Sequence, residues 1–427
     1  MKTLTVALQF GSSRISAAAV WIDHSGRQEV ASIECSPTDG CIRHGCVVNT
    51  EEAAAHIKSL LKKLNNRVRA NSTGDIDAAY CGICGISMQS REHHPSVLLG
   101  EDLRIGQEVK RQLEEQSWEL PLQGKDILGV CSNGEHVSEQ LAVGDHQLIV
   151  SESRLAQGIR NAMERAKIRV VKILPTPLLV GDILTAEEKM NGTLLLDLGA
   201  QLTTLSIYAE GNLQFMRVLP LGSENVTRDI ATKGLRYEDA ENIKHNWSDA
   251  ARPDTGDETM PHLDIDLPAS ELNIIVSSRL EELAINIDQQ ITRAGYKGRL
   301  AACVLTGGGS MQKGLTALLS KQLNISKIST RGCNSLRFMS SERKPHLTSL
   351  MSMLSYCTES CVAKAAETPS GETGTSANGT TSANNNNEST FKANGNDEVK
   401  LPANGKKKEG FFKGFMNDLF AGIDDDQ

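Results

Sequence analysis

Short apolar runs alternate along the chain with stretches in which apolar positions recur three and four residues apart. The runs predict strands at Leu4 to Phe10, Ile15 to Ile22, Asp77 to Ile83, Gln147 to Val150, Arg169 to Leu174, Thr193 to Leu198, Thr203 to Tyr208 and Ala301 to Leu305. The helical spacing predicts helices at Glu51 to Leu64, Asp102 to Gln116, Glu152 to Ala166, Ser223 to Lys233, Tyr237 to His245, Glu271 to Ala294 and Leu315 to Leu323. In the longest of these, Ser270 is placed to cap the free N–H groups and Gly295 to close the far end. Strands and helices interleaved in this way predict an α/β fold.

The pattern stops near Ala365. Of the 41 residues from Ala365 to Gly405, 25 are Asn, Ser, Thr, Gly or Pro, and the large apolar residues are Phe391, Val399 and Leu401. Such a segment buries too little surface to offset its ordering entropy, so it reads as a disordered linker. As a coil it holds its ends about 35 to 40 Å apart, and it stretches to about 140 Å.

Beyond the linker, Phe411, Phe412, Phe415, Met416, Leu419, Phe420 and Ile423 fall on one side of a helical wheel, with Lys413, Asn417 and Asp418 on the other. Lys406, Lys407 and Lys408 precede this amphipathic helix and suit anionic headgroups, whereas Asp424, Asp425 and Asp426 oppose them. Hydrophobic insertion then carries most of the affinity for a membrane surface. The rival reading is docking in a protein groove, which a long disordered spacer disfavours for the chain's own core.

Composition narrows the class. The chain has 427 residues, 39% of them hydrophobic, and a net charge of −8 with a pI near 5.8, which argues against nucleic acid as a partner. No apolar run approaches the roughly 18 to 20 residues of a spanning helix. Met1 to Ala19 mimics a signal peptide, but Thr5 and Gln9 interrupt its apolar stretch. The ten Cys read as reduced thiols in a cytoplasm, since a chain of this length builds a core without staples. Cys81 and Cys84 form a lone C-x-x-C that reads as strand thiols. Cys35, Cys41, His44 and Cys46, like His93 and His94 in a polar loop, lack metal-site spacing. Asn191-Gly192 reads as a turn into the strand at Thr193.

One internal echo concerns chemistry. Val6 to Ala19 aligns without gaps on Leu194 to Ile207, and each reads as strand, glycine turn, strand. Two unrelated hairpins would give the same pattern, but their positions, one opening each half of the folded region, suggest a duplicated two-lobed body. Turns facing each other across a cleft offer backbone N–H groups and hydroxyls to a polyphosphate. Gly11, Ser12 and Ser13 form one turn and Gly199, Ala200 and Gln201 the other, with Asp197 at a strand end where a carboxylate could hold Mg²⁺ through water. Gly307, Gly308 and Gly309 follow a strand and precede a helix, as a loop passing a flat nucleoside would.

Together these motifs resemble the actin-like nucleotide-binding superfamily and, within it, the FtsA family of bacterial cell-division proteins. Val6 to Ala19 looks like the first phosphate loop, Leu194 to Tyr208 like the second, and Cys303 to Leu319 like the adenosine loop. Arg217 to Gly222, Asn225 to Ala231, Asp239 to Lys244, Arg279 and Glu282 are FtsA-like as well. The resemblance implies a two-lobed actin-like (ribonuclease-H-like) fold. Its first lobe spans 1–190 with an inserted subdomain near 84–151, its second lobe spans 191–364, the linker 365–405 and the membrane-targeting helix 406–427.

The resemblance further implies ATP, with or without Mg²⁺, held by Gly11, Ser12, Ser13, Arg14, Asp197, Gly199 and Gln201 around the phosphates. Glu241 and Lys244 would face ribose and adenine, and Gly307 to Gly309 the base. Implied partners are the C-terminal tail of FtsZ, docking within 233–300, further copies of the chain, later division proteins and the inner face of the cytoplasmic membrane at mid-cell.

Departures from the family pattern are informative. Gln9 stands where the first loop usually carries an acid, Ala200, Gln201 and Leu202 replace Gly, Gly and Thr, and Thr204 replaces an Asp. The expectation is weak ATP binding with negligible turnover and a scaffolding role. The rivals are a sugar-kinase-like phosphotransferase, which needs a base carboxylate in the cleft, and an actin-like scaffold of a pilus or secretion machine, which should lack the terminal helix.

Overall fold

A computed structural model describes residues 2–69, 74–100, 103–252, 267–333 and 344–363. The linker and the amphipathic segment read from the sequence lie outside the described residues. No helix among the described residues is long and apolar enough to cross a membrane.

The chain opens with an antiparallel meander of β1 (Thr3–Phe10), β2 (Arg14–Ile22) and β3 (Gln28–Pro37). The two-residue strands β4 (Ile42–Arg43) and β5 (Cys46–Val47) and helix α1 (Thr50–Val68) lead to β6 (Ala78–Ile83), which returns parallel to β1. Asn49 starts α1 by accepting the Glu52 N–H at 3.2 Å. The helix then buries Ala53, Ile57, Leu60, Leu61, Leu64 and Val68, one apolar stripe at helical spacing.

An insertion follows: β7 (Gln89–His93), β8 (Ser96–Leu98), α2 (Gln107–Trp118) and the long hairpin β9 (Lys125–Ser138) and β10 (Leu141–Glu152). It has its own small core of Leu99, Leu113 and Ala142. Helix α3 (Ser153–Ala166) and β11 (Arg169–Pro175) complete the first sheet, whose order is β11-β6-β1-β2-β3.

Helices α4 (Thr176–Val180) and α5 (Ala186–Asn191) lead into a second meander, β12 (Thr193–Leu198), β13 (Thr203–Ala209) and β14 (Asn212–Leu219). After α6 (Ser223–Ala231), α7 (Tyr237–Trp247) and α8 (Ala269–Arg293), β15 (Ala302–Thr306) lies parallel to β12, and β16 (Ile328–Thr330), which follows α9 (Leu315–Leu323), lies parallel to β15. The order β16-β15-β12-β13-β14 repeats that of the first sheet. The echo in the sequence is therefore a repeated topology. Insertion strand β7 extends this sheet beyond β14, pairing Gln89 with Arg217 and accepting the Met216 N–H on Ser90 Oγ at 2.8 Å.

Leu194, Leu196 and Leu198 on one face of β12 pack with α8 and α9 residues such as Leu283, Ile287 and Leu319. Leu195 on the other face joins the first core, together with Val304 and α10 (Thr348–Leu354). Helix α10 thus belongs to the first core, although the sequence reading grouped its residues with the second lobe. The Cys361 N–H donates to the Leu4 carbonyl at 2.9 Å and holds this segment beside β1.

Several elements differ from the sequence reading. Gln147 to Val150 is only the middle of the twelve-residue β10. Helix α2 starts at Gln107 rather than Asp102. Helix α8 begins at Ala269, so Ser270 lies inside it and Pro268, with its fixed φ and no N–H, occupies the cap position. His93 ends strand β7 rather than lying in a loop. Gly295 does close α8: its φ is +73°, and the following Tyr296 N–H reaches back to Ile291 at 3.0 Å.

Candidate nucleotide cleft

The two glycine turns have the same construction. The Gly11 N–H donates to the Arg14 carbonyl at 3.1 Å, and the Gly199 N–H to the Leu202 carbonyl at 2.8 Å. A Cβ on either glycine would lie 2.9 Å from the acceptor carbonyl, which explains the residue type. Among the described residues the N–H groups of Ser12, Ser13, Ala200 and Gln201 find no acceptor. Both turns line one cleft with a cavity volume of about 630 Å³. Clustered unpaired N–H groups of this kind favour an anion.

Three contacts line this cleft, two of them between the halves. The Gln201 Oε1 accepts the His44 N–H at 2.8 Å, and the Ser12 Oγ accepts the Gly45 N–H at 3.2 Å, so the turn between β4 and β5 sits against both glycine turns. Cys84 Sγ and Thr204 Oγ1 lie 3.4 Å apart at the end of β6. The Gln201 side chain is thus spent on holding the turn, and its contribution to an anion would come through its N–H.

The glycine triplet is drawn tightly onto β12. Gly307 has φ of +80°, and a Cβ there would lie 2.3 Å from Asp197 Oδ1 and 2.5 Å from the Leu198 carbonyl. Asp197 forms the floor between the turns, where its Oδ2 accepts the Ser349 hydroxyl at 2.9 Å. Burial pushes the Asp197 carboxyl up, against the opposing effect of that hydrogen bond. Arg14 and His346 stand on the wall, and burial, then the neighbouring Arg14 and Lys344, lower the proton affinity of His346.

Helix α7 presents Tyr237, Glu241 and His245, four residues apart, to the cleft. Lys244 does not join them. It is 2% exposed, and its Nζ donates to Thr227 Oγ1 at 2.8 Å, Glu241 Oε2 at 2.7 Å and the Ser223 carbonyl at 3.3 Å. Facing ribose or adenine was implied by resemblance. The structure instead puts Lys244 behind Glu241, because it sits one turn past buried Ala240 on the inner face of the helix.

Burial pushes the Glu241 carboxyl up, but hydrogen bonds from His245, Lys244 and Thr227 outweigh it and hold it at about 2. That lies below the ordinary value of about 4.3, so the contact stabilises the fold above that pH and is lost as pH falls toward the folded value. Glu241→Gln should cost ~1–2 kcal/mol at neutral pH, after allowance for solvent screening at this part-exposed group. It should also flatten the stability slope between pH ~4 and ~2 in urea titrations. An unchanged acid slope in the variant would contradict this assignment.

Of the residues selected from sequence, Gly11, Ser12, Ser13, Arg14, Asp197, Gly199, Gln201, Glu241 and Gly307 to Gly309 all line this cleft, and Lys244 lies outside its lining. Sequence reasoning missed Tyr237, His245, His346 and Ser349. The first two were accessible from the i±4 spacing around Glu241. The last two depend on the return of the chain at α10 and carry no local signal.

A family model described as "Cell division protein FtsA" matches residues 194–352. Cell division protein FtsA of Porphyromonas gingivalis is 30% identical over 346 residues, which cover 76% of this chain and 71% of that protein. The protein of the same name from Pseudomonas aeruginosa is 27% identical over 338 residues, covering 74% and 80%. Among solved structures, the "PilM-PilN type IV pilus biogenesis complex" superposes with a TM-score of 0.60 at 18% identity, covering 82% of this chain and 96% of that one. That likeness concerns the fold, which is actin-like.

Proposed function

Because the chain belongs to the FtsA family of cell-division proteins, we propose that it tethers FtsZ filaments to the inner face of the cytoplasmic membrane at mid-cell and recruits later division proteins there. It is an actin-like division protein by family and fold. The single observation that carries the tethering role is the apolar stripe of residues 411–423 at the end of a 41-residue linker. A stripe of that kind on such a leash suits lipid, while the body remains free to dock filaments.

In this reading the cleft holds ATP, its phosphates between the two glycine turns and its nucleoside against Glu241 and Gly307 to Gly309. The unpaired N–H groups of the turns support the anion end. Gln9 cannot serve as a base, so turnover is negligible and the protein works as a scaffold, self-associating on the membrane. Neither rival is favoured: Gln9 and Thr204 stand where a phosphotransferase would need an acid, and the pilus likeness rests on fold at 18% identity.

The test is imaging in cells. A fluorescent fusion of the full chain should form a mid-cell band, and a truncation before Lys406 should be diffuse. A band retained by the truncation would refute the tethering role.

A further inference from the structure

Gln9 and Asp197 occupy equivalent places in the two hairpins, directly opposite Ser16 in one ladder and Thr204 in the other. Carboxylates at both places could share a hydrated divalent cation between bound phosphates. This chain supplies one amide and one carboxyl, and that carboxyl already accepts from Ser349. The other acids of the cleft are engaged too. Glu241 is held by Lys244, His245 and Thr227, and Glu224 by Arg228. One carboxyl in place of two, with part of its lone-pair capacity taken by Ser349, is a weaker seat for a hydrated Mg²⁺ than paired carboxylates.

One cationic side chain of the cleft is not engaged in this way. Arg14 lines the cleft, half-buried at the start of β2 and two residues past Ser12. Among the described residues its guanidinium makes no hydrogen bond or ion pair. A part-buried guanidinium without a counter-charge is costly, and an anion in the cleft would relieve that cost. Its planar fork matches a phosphate through two parallel N–H bonds. The unpaired N–H groups of Ser12 and Ser13 lie in the turn it closes.

We propose that Arg14 takes the place of the divalent cation, so that the cleft binds the polyphosphate of an adenine nucleotide without requiring Mg²⁺. The inference rests on the nucleotide reading of the cleft, and the experiment separates the two.

Calorimetry on the full chain, with ATP as the probe, is run once with Mg²⁺ and once with EDTA. The two affinities should agree within about twofold, and Arg14→Gln should weaken binding in EDTA by about tenfold or more, as expected for loss of a charged hydrogen-bonding partner. Gln9→Asp, which keeps Arg14, should make binding metal-dependent, several-fold tighter with Mg²⁺ than with EDTA. ATP binding that vanishes in EDTA overturns the inference and leaves the nucleotide reading standing. An Arg14→Gln protein that binds as tightly as the parent in EDTA also overturns it. No ATP binding in either medium overturns the nucleotide reading, and the inference with it.

Discussion

A chain truncated before Lys406 should no longer co-sediment with anionic phospholipid vesicles that carry down the full-length protein. The expected loss exceeds a hundredfold. On a helical wheel, seven large apolar residues of 411–423, four of them Phe, fall on one arc, which we propose faces lipid. A buried side chain of this kind contributes ~1.5–3 kcal/mol, so even partial insertion of seven supplies several kcal/mol. Lys406 to Lys408 add at most ~1 kcal/mol each near an anionic surface, and Asp424 to Asp426 offset them. Binding should therefore change little with added salt. Replacing Phe412 and Phe420 by Asp should reproduce the truncation, whereas Lys413→Ala on the polar arc should have little effect. Vesicle binding that survives the double replacement would transfer the role to another surface.

Gly307→Ala should destabilise the protein by ~3 kcal/mol or more and eliminate nucleotide binding. Two costs add. The backbone at φ of +80° and ψ of 168°, a region essentially confined to glycine, carries a penalty of ~1–3 kcal/mol for a residue with a side chain. The new methyl would also meet Asp197 Oδ1 at 2.3 Å and the Leu198 carbonyl at 2.5 Å, so either β12 or the loop must move. Because Asp197 forms the floor between the two glycine turns, that movement opens the site itself. The next residue is the control. At Gly308 an added Cβ meets only the His346 Cβ, at 3.7 Å, so Gly308→Ala should shift stability by less than ~0.5 kcal/mol. Urea midpoints of the two variants, compared with ATP calorimetry, read this out. Equal midpoints for both would show that the loop does not approach β12 as described.

The contrast between these adjacent glycines shows where sequence stops informing. The triplet marked a close approach, but which glycine makes it depends on how β15 and β12 pair, a long-range register. Elements with a clear apolar pattern were legible: β12, an apolar run buried on both faces, and α9, with helical spacing, have the bounds the sequence predicts. Strands β3 and β9 were missed because few of their residues are fully buried and many are polar, so alternation carries little signal. The duplicated hairpin was legible because both copies need glycine at the same turn. Lys244 was assigned by analogy to the ligand, although Ala240 one turn earlier already placed it on the inner face. Arg14 was selected from the sequence, but its lack of a partner emerged only from the fold.

The proposed role requires that this chain join FtsZ polymer to lipid. Sedimentation of FtsZ filaments with floating vesicles measures it: FtsZ should float with the vesicles when the full chain is present and stay behind with the chain truncated before Lys406. Equal flotation of FtsZ with full-length and truncated chain would contradict the account.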